Sequence, residues 1–391
     1  MLTEEVAMTE GLSSAELVAL VRRVFLPGPG DQGLAILVDL PDAVVADDAR
    51  WQARRATAQA WAEALDAQRG ELGFPTRLVL YPNVHTNNGD LPPAGWIHAG
   101  GPLPLTAEDL DPAGAVPFAE IYGGHSILMA LTKFSSTAPL KMAARHFPIR
   151  AATMPGFCDA MIPSLRLDYT EVNRRVVILK ELLDRATGAE AHFRHPGGEA
   201  RLHLDLRFRT GHASGGLLPA PGVAGNLPSG EAYIVPYEGE RPGEPSRTEG
   251  SLPVQFGEEV VLYRISNNVA VAVEPGGPEA EREAELLAAE PAYGNLAELG
   301  LGVLAAFGVK PIGEVLLDEK LGLHIAFGRS EHFGGQVGPE RFSGPGAVVH
   351  IDRVYVPETQ PRVQVVSVDL RLEDGASLPL IRDGEYVVAF A

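Results

Sequence analysis

The pair His350-Ile-Asp352, inside VVHIDRVYV, is the sharpest chemical feature of the chain. Residues two apart on a β-strand share a face, so an imidazole and a carboxylate project side by side between hydrophobic neighbours. That donor pair suits zinc, cobalt, manganese or iron; the alternative is a polar pair exposed on an edge strand. A second candidate is Glu319-Lys-Leu-Gly-Leu-His324, in LLDEKLGLHIAFG. A turn at Gly322 either folds the carboxylate and the imidazole toward one point or forms a charged hairpin turn before a buried strand histidine. A third is Gly225-Asn-Leu-Pro-Ser-Gly-Glu231, a tight turn that aims Glu231 at the start of AYIVP or leaves it solvated. The fourth, Asn295-Leu-Ala-Glu298, offers another carboxylate, although the same spacing reads as a helix-capping box.

Other histidines are weaker candidates. His192 and His195 have metal-like spacing, but Pro196-Gly197-Gly198 makes that segment an exposed turn. His212, in RTGHASGG, is a candidate for contact with a substrate. Cys158 is the only cysteine, which excludes a disulfide or a cysteine-based zinc site within one chain. It reads as a core thiol. The chain has no P-loop, no G-x-S-x-G elbow and no G-x-G-x-x-G after a strand.

The elements that must position these residues change texture along the chain. Leu34–Leu40 and Arg77–Tyr81 read as buried strands around a long helix within Asp47–Glu71, with further strand candidates at Ala115–Tyr122 and Ile127–Phe134. This β-α-β order predicts a Rossmann-like α/β lobe over residues 1–155 with a mainly parallel sheet. A helix is expected at Tyr169–Thr187, with Val172, Val176, Leu179 and Leu183 at helical spacing. Alternating segments follow at Ala200–Thr210, Tyr233–Pro236, Val260–Ile265, Val269–Val273, Val348–Val356, Arg362–Leu372 and Tyr386–Phe390, while Glu238–Pro253 reads as an exposed hairpin or loop. The fold class is therefore α/β, with a β-rich α+β lobe over residues 156–391 carrying the ligand motifs.

Composition narrows the function. The chain of 391 residues has 51 acids against 32 lysines and arginines, for a net charge of −19. That balance speaks against nucleic-acid binding, which needs positive charge. With 45% hydrophobic residues the chain is not disordered, and 43 glycines and 32 prolines argue against a helical bundle. No apolar run is long enough to span a membrane, and the acidic start lacks the basic and apolar regions of a signal peptide. A soluble cytoplasmic protein is the expectation.

In chain order the motifs NLPSGE, N-x-AELGLG, LLDEKLGLHIAFG and VVHID resemble those of the thermophilic aminopeptidase (aminopeptidase T, leucyl aminopeptidase-like) metallopeptidases. The resemblance runs from about Arg150 to the C-terminal RDGEYV and is strongest in the second half. It implies a homodimeric hydrolase with two divalent cations, zinc, cobalt or manganese, in a site between the two lobes. Glu231, Glu298, Glu319, His324, His350 and Asp352 are the ligands it implies. Four converging carboxylates repel one another unless cations neutralise them, and a metal pair of that kind activates water for attack on an amide carbonyl. Two departures stand out. The family's G-T-x-H is here Gly322-Leu323-His324, without the threonine, and the family's tyrosine shortly after that histidine is absent, leaving His332 in GRSEHFGG as the nearest candidate for a catalytic role beside Glu319. The same scaffold includes 2,5-dihydroxypyridine 5,6-dioxygenase-like enzymes holding one Fe(II), so a mononuclear ring-cleaving site is the alternative, and a non-catalytic pathway partner is a third reading.

Overall fold

The structure is a computed structural model that describes residues 11–390. The chain forms two compact units, one of residues 1–171 with 216–229, the other of residues 172–215 with 230–391.

The first unit is built on a seven-stranded sheet in the order Val223–Asn226, Arg150–Thr153, Ile127–Ala130, Leu34–Leu40, Thr76–Pro82, Ala94–Ile97 and Ala115–Pro117. The first five strands run parallel and the last two antiparallel. Leu34–Leu40 is buried along its whole length, as an uninterrupted apolar run in a parallel sheet should be. Its one charge, Asp39, accepts hydrogen bonds from the Lys133 and Phe134 amides and the Trp51 indole, so the buried carboxylate is satisfied. The expected strand Ala115–Tyr122 is only three residues long. From Phe118 to Gly124 the chain is helical, because Phe118, Ile121 and Tyr122 sit at helical spacing and together bury one face in the core.

The second unit opens with the helix Tyr169–Asp184, which starts in the first unit and ends three residues before the predicted Thr187. Two antiparallel sheets follow. One has eight strands, including Ala186–His195, Gly198–Asp205, Glu249–Phe256, Glu259–Ser266, Val269–Val273 and Gln364–Leu372. Only the first part of Glu238–Pro253 is irregular, since Glu249 onward pairs with Glu259–Ser266. The last predicted strand shrinks to Glu385–Tyr386. The other sheet has five strands in the order His350–Val354, Leu323–Gly328, Leu296–Gly302, Glu231–Ile234 and His212–Ser214, and it carries the candidate ligands. Among the described residues no helix is long and apolar enough to cross a membrane.

Candidate metal centre

Cross-strand register gathers the chemistry on one face of the five-stranded sheet. His212, Tyr233, Gly300, His324 and Val354 lie in one row, and Glu298, Ala326 and Asp352 lie in the next. Glu231 stands opposite Gly302, and His350 opposite Gly328. Each residue is an even number of steps from the row beside it, so all face the same way. The opposite face carries Leu299, Leu301, Ile325 and Phe327, each almost fully buried.

Glu298 reaches this face through an irregularity. Asn295–Glu298 does not cap a helix; Leu296–Gly302 is a strand, and its pairing slips between Leu296 and Glu298. Leu296 pairs with Phe327 and Glu298 with Ala326, so one extra residue sits in the strand. Without that bulge Leu296 and Glu298 would share a face; with it, the leucine enters the core and the glutamate enters the site. The Asn295 side chain is used across the sheet instead, donating to Glu238 Oε1 at 2.8 Å and to the Gly328 carbonyl at 2.9 Å.

The imidazoles are oriented by backbone. His324 Nδ1 faces the Gly322 carbonyl at 3.3 Å, and His350 Nδ1 faces the Arg329 carbonyl at 2.8 Å. Each Nε2 is thereby turned into the site, the posture of a ligating histidine. His324 Nε2 lies 3.2 Å from Glu298 Oε1, 3.5 Å from Glu231 Oε2 and 4.0 Å from Asp352 Oδ1. His350 Nε2 lies 3.4 Å from Glu298 Oε2 and 3.6 Å from Asp352 Oδ1. Two groups of metal-ligating type result, Glu231–Glu298–His324 and Glu298–His350–Asp352, with Glu298 common to both. His350 and Asp352 do lie on an edge strand, but their side chains are only 20% and 4% exposed.

Small residues make the room. A Cβ on Gly300 would overlap the His324 ring, and one on Gly302 would overlap the Lys320 backbone. The turn from Glu319 to Gly322 is stitched down at that point, with the Gly302 amide donating to the Gly322 carbonyl at 2.9 Å and the Leu304 amide to the Lys320 carbonyl at 2.8 Å. Glu319 consequently points inward, its carboxyl within hydrogen-bonding reach of Asp352.

Electrostatics divides the four acids. Burial works against ionisation of Glu298, yet its bonds to His324 and His350 hold it down at about 2. Asp352 is likewise lowered despite burial, chiefly by the charge of His350. Glu231 and Glu319 are raised, because burial outweighs their shared lysine partner. That partner, Lys320, is fully buried and touches both Glu231 Oε1 and Glu319 Oε1. Sequence reasoning passed over it as part of a charged turn. The signal was a lysine directly after Glu319, the one lysine or arginine in LLDEKLGLHIAFG.

His324 shows how protons and metal compete. Burial disfavours its charge, but the Glu298 bond and the charges of Glu231 and Asp352 lift it from 6.5 to about 9. In the metal-free protein the stability from protonated His324 is complete below 6.5 and is lost as pH rises through about 9. A ligating imidazole must surrender that proton. Metal uptake is therefore expected to release protons and to tighten across this pH range, while the Tm of the metal-free protein falls. Indicator-dye titrations and melts at each pH measure both; uptake that does not vary with pH would exclude His324 as a ligand.

The remaining candidates sort cleanly. His212 stacks on Tyr233 with ring centroids 5.0 Å apart, and its Nε2 faces the Phe333 carbonyl at 3.1 Å. Tyr233 in turn meets Phe333 edge-on at 4.9 Å. His332 lies 5.4 Å from the His350 ring and is lowered to about 4 by burial and the neighbouring His350 charge, which leaves it neutral. Its side chain is one quarter exposed, at the rim of the ligand cluster. Tyr233 was not foreseen as a site residue, although it follows Glu231 by two on a strand and so shares its face. Burial, then the charges of Glu298 and Glu231, push its phenol upward. His192 pairs with Glu199 at 3.1 Å beside the exposed turn, and Cys158 is half-buried.

Known proteins frame this geometry. No family model matches the chain. Aminopeptidase T of Thermus aquaticus is 27% identical over 367 residues, covering 80% of this chain and 84% of that protein. Aminopeptidase T of Thermus thermophilus is 31% identical over 219 residues, half of this chain and 48% of that protein. Among solved structures, 2,5-dihydroxypyridine dioxygenase from Pseudomonas putida KT2440 superposes with a TM-score of 0.59 at 18% identity, covering 97% of this chain and 99% of that one. Wild-type AmpT from Thermus thermophilus superposes with a TM-score of 0.51, also at 18% identity, covering 96% and 99%. The chain is thus a distant relative of aminopeptidase T in sequence, on a fold that an aminopeptidase and a dioxygenase share.

Proposed function

We propose that the protein is a metal-dependent aminopeptidase-like hydrolase with a dinuclear site, acting on the amide bond of a small peptide or related small molecule. The observation that carries this reading is Glu298, whose two oxygens face different imidazoles, Oε1 toward His324 and Oε2 toward His350. A carboxylate so placed would serve both positions if two cations were bound. The donor set fits divalent zinc, cobalt or manganese, and Glu231 Oε2 is a buried oxygen without a hydrogen-bond donor. The distant relationship to aminopeptidase T favours the same chemistry.

In this reading Glu231, Glu298, His324, His350 and Asp352 hold the ions, with Glu319 at their edge. When bound, two such ions supply an activated water and polarise a carbonyl. Glu319, raised by burial, takes a proton at its carboxylate and returns it to the departing amine. Neutral His332 donates a hydrogen bond to the substrate carbonyl, and His212 with Tyr233 and Phe333 forms an aromatic wall for the substrate side chain.

Loading the stripped protein with Co²⁺ or Zn²⁺ and assaying leucine p-nitroanilide tests this directly. About two metals per chain and hydrolysis are expected, with hydrolysis lost in Glu231→Ala. A second reading has its own observation. Asp352 Oδ1 lies 4.0 Å from His324 Nε2 and 3.6 Å from His350 Nε2, and two histidines with one carboxylate are the donor types that hold Fe(II). One iron per chain and O₂ uptake on a hydroxylated pyridine would replace the hydrolase reading with that one.

A further inference from the structure

Lys320 breaks the symmetry of the site. Its ammonium is completely buried and contacts one oxygen each of Glu231 and Glu319. Its backbone cannot easily withdraw, because the Leu304 amide holds its carbonyl at 2.8 Å and Gly302 leaves just enough space for the turn. Among the described residues no lysine or arginine ion pair touches Glu298 or Asp352; both carboxylates face His324 and His350.

The two ligand groups therefore meet an incoming dication on unequal terms. Glu298, His350 and Asp352 present two carboxylates that no ammonium touches. Glu231, Glu298 and His324 present a glutamate already engaged on one oxygen, with a fixed positive charge beside it. The other Glu231 oxygen is buried, has no hydrogen-bond donor and lies 3.5 Å from His324 Nε2, so this second position is still a cradle for a cation.

Building on the two-metal reading, we propose that Lys320 is an internal cation that grades the two positions. The Glu298–His350–Asp352 position fills first and tightly. The Glu231–Glu298–His324 position fills second and weakly, because its metal must share Glu231 with the ammonium and sit within range of its repulsion. Residues just outside a metal's own ligands change affinity by about 10- to 100-fold, and a charge in contact with a ligand belongs at the upper end of that range.

The test is a calorimetric titration of the stripped full-length protein with Zn²⁺, with bound metal counted after gel filtration. Wild type is expected to show two affinities at least about tenfold apart. Lys320→Met, which keeps the stem and removes the charge, is expected to tighten the weaker one until the gap closes and to leave the tighter one in place. An unchanged gap in Lys320→Met, or equal affinities in wild type, would overturn the role of Lys320 while leaving the two-metal reading intact. A single metal in both proteins would overturn the two-metal reading itself. Should Lys320→Met fail to fold, Co²⁺ spectra decide. The first equivalent is expected to survive Glu231→Gln and vanish in Asp352→Asn, and the opposite pattern overturns the proposal.

Discussion

Glu298→Gln is expected to empty both metal positions and to reduce hydrolysis of leucine p-nitroanilide by at least about 100-fold, since even outer partners of a metal site cost 10- to 100-fold when lost. The reason lies in its position rather than its type. Each of its oxygens is the near neighbour of a different imidazole, at 3.2 Å and 3.4 Å, and it belongs to both ligand groups. Glutamine preserves the volume but turns one oxygen into an amide that cannot ligate. The contrast is with Glu231, which belongs to one group only. Glu231→Ala is expected to lose hydrolysis yet keep about one metal per chain. Metal counting on the two purified variants separates these outcomes. A Glu298→Gln protein that retains two metals, or activity within tenfold of wild type, would remove the bridging role.

Gly300→Ala is the second large effect, from the smallest chemical change. The added methyl would lie on the His324 imidazole, between strands whose backbones are fixed by pairing. Overpacking of a close-packed interior costs about 1–3 kcal/mol, and here the group displaced is a candidate ligand, so weaker metal binding is expected to accompany the loss of stability. Gly70→Ala is the control, because nothing lies near its Cβ. It is expected to change stability by no more than about 0.5 kcal/mol. Removing the ring in His324→Ala should relieve the clash, so Gly300→Ala should cost markedly less in that background. Thermal melts and zinc titrations of the four proteins measure this cycle, and a Gly300→Ala protein as stable and as avid as wild type would contradict it.

How much of this could be read in advance depended on the range of the signal. His350 and Asp352 were visible because strand alternation is a two-residue rule. Glu231 was visible because Pro228, Ser229 and Gly230 make a local turn. Glu298 was harder. Its segment imitates a helix cap, and only a bulge set by pairing with a distant strand gives it its direction, so its role rested on the order of motifs. The same limit hid the helix Phe118–Gly124, whose apolar spacing is compatible with a strand until the core it faces is known. Lys320 is a different omission. Charge counting asked what neutralises four buried acids and looked only to metals, although part of the answer lay next to Glu319 in the chain.

The floor of this site is almost bare peptide. Gly300, Gly302, Gly328 and Ala326 occupy the positions between the acids and imidazoles, and all four are buried. A Cβ on Gly300 would meet the His324 ring, one on Gly302 the Lys320 backbone and one on Gly328 the Val349 backbone, so selection for a new substrate has nothing to adjust in the floor. The freedom lies in the wall, where His212, Tyr233 and Phe333 pack ring against ring. Divergence of specificity in close relatives of this chain would then be written in those three rings, with the glycine floor passed on as an invariant template.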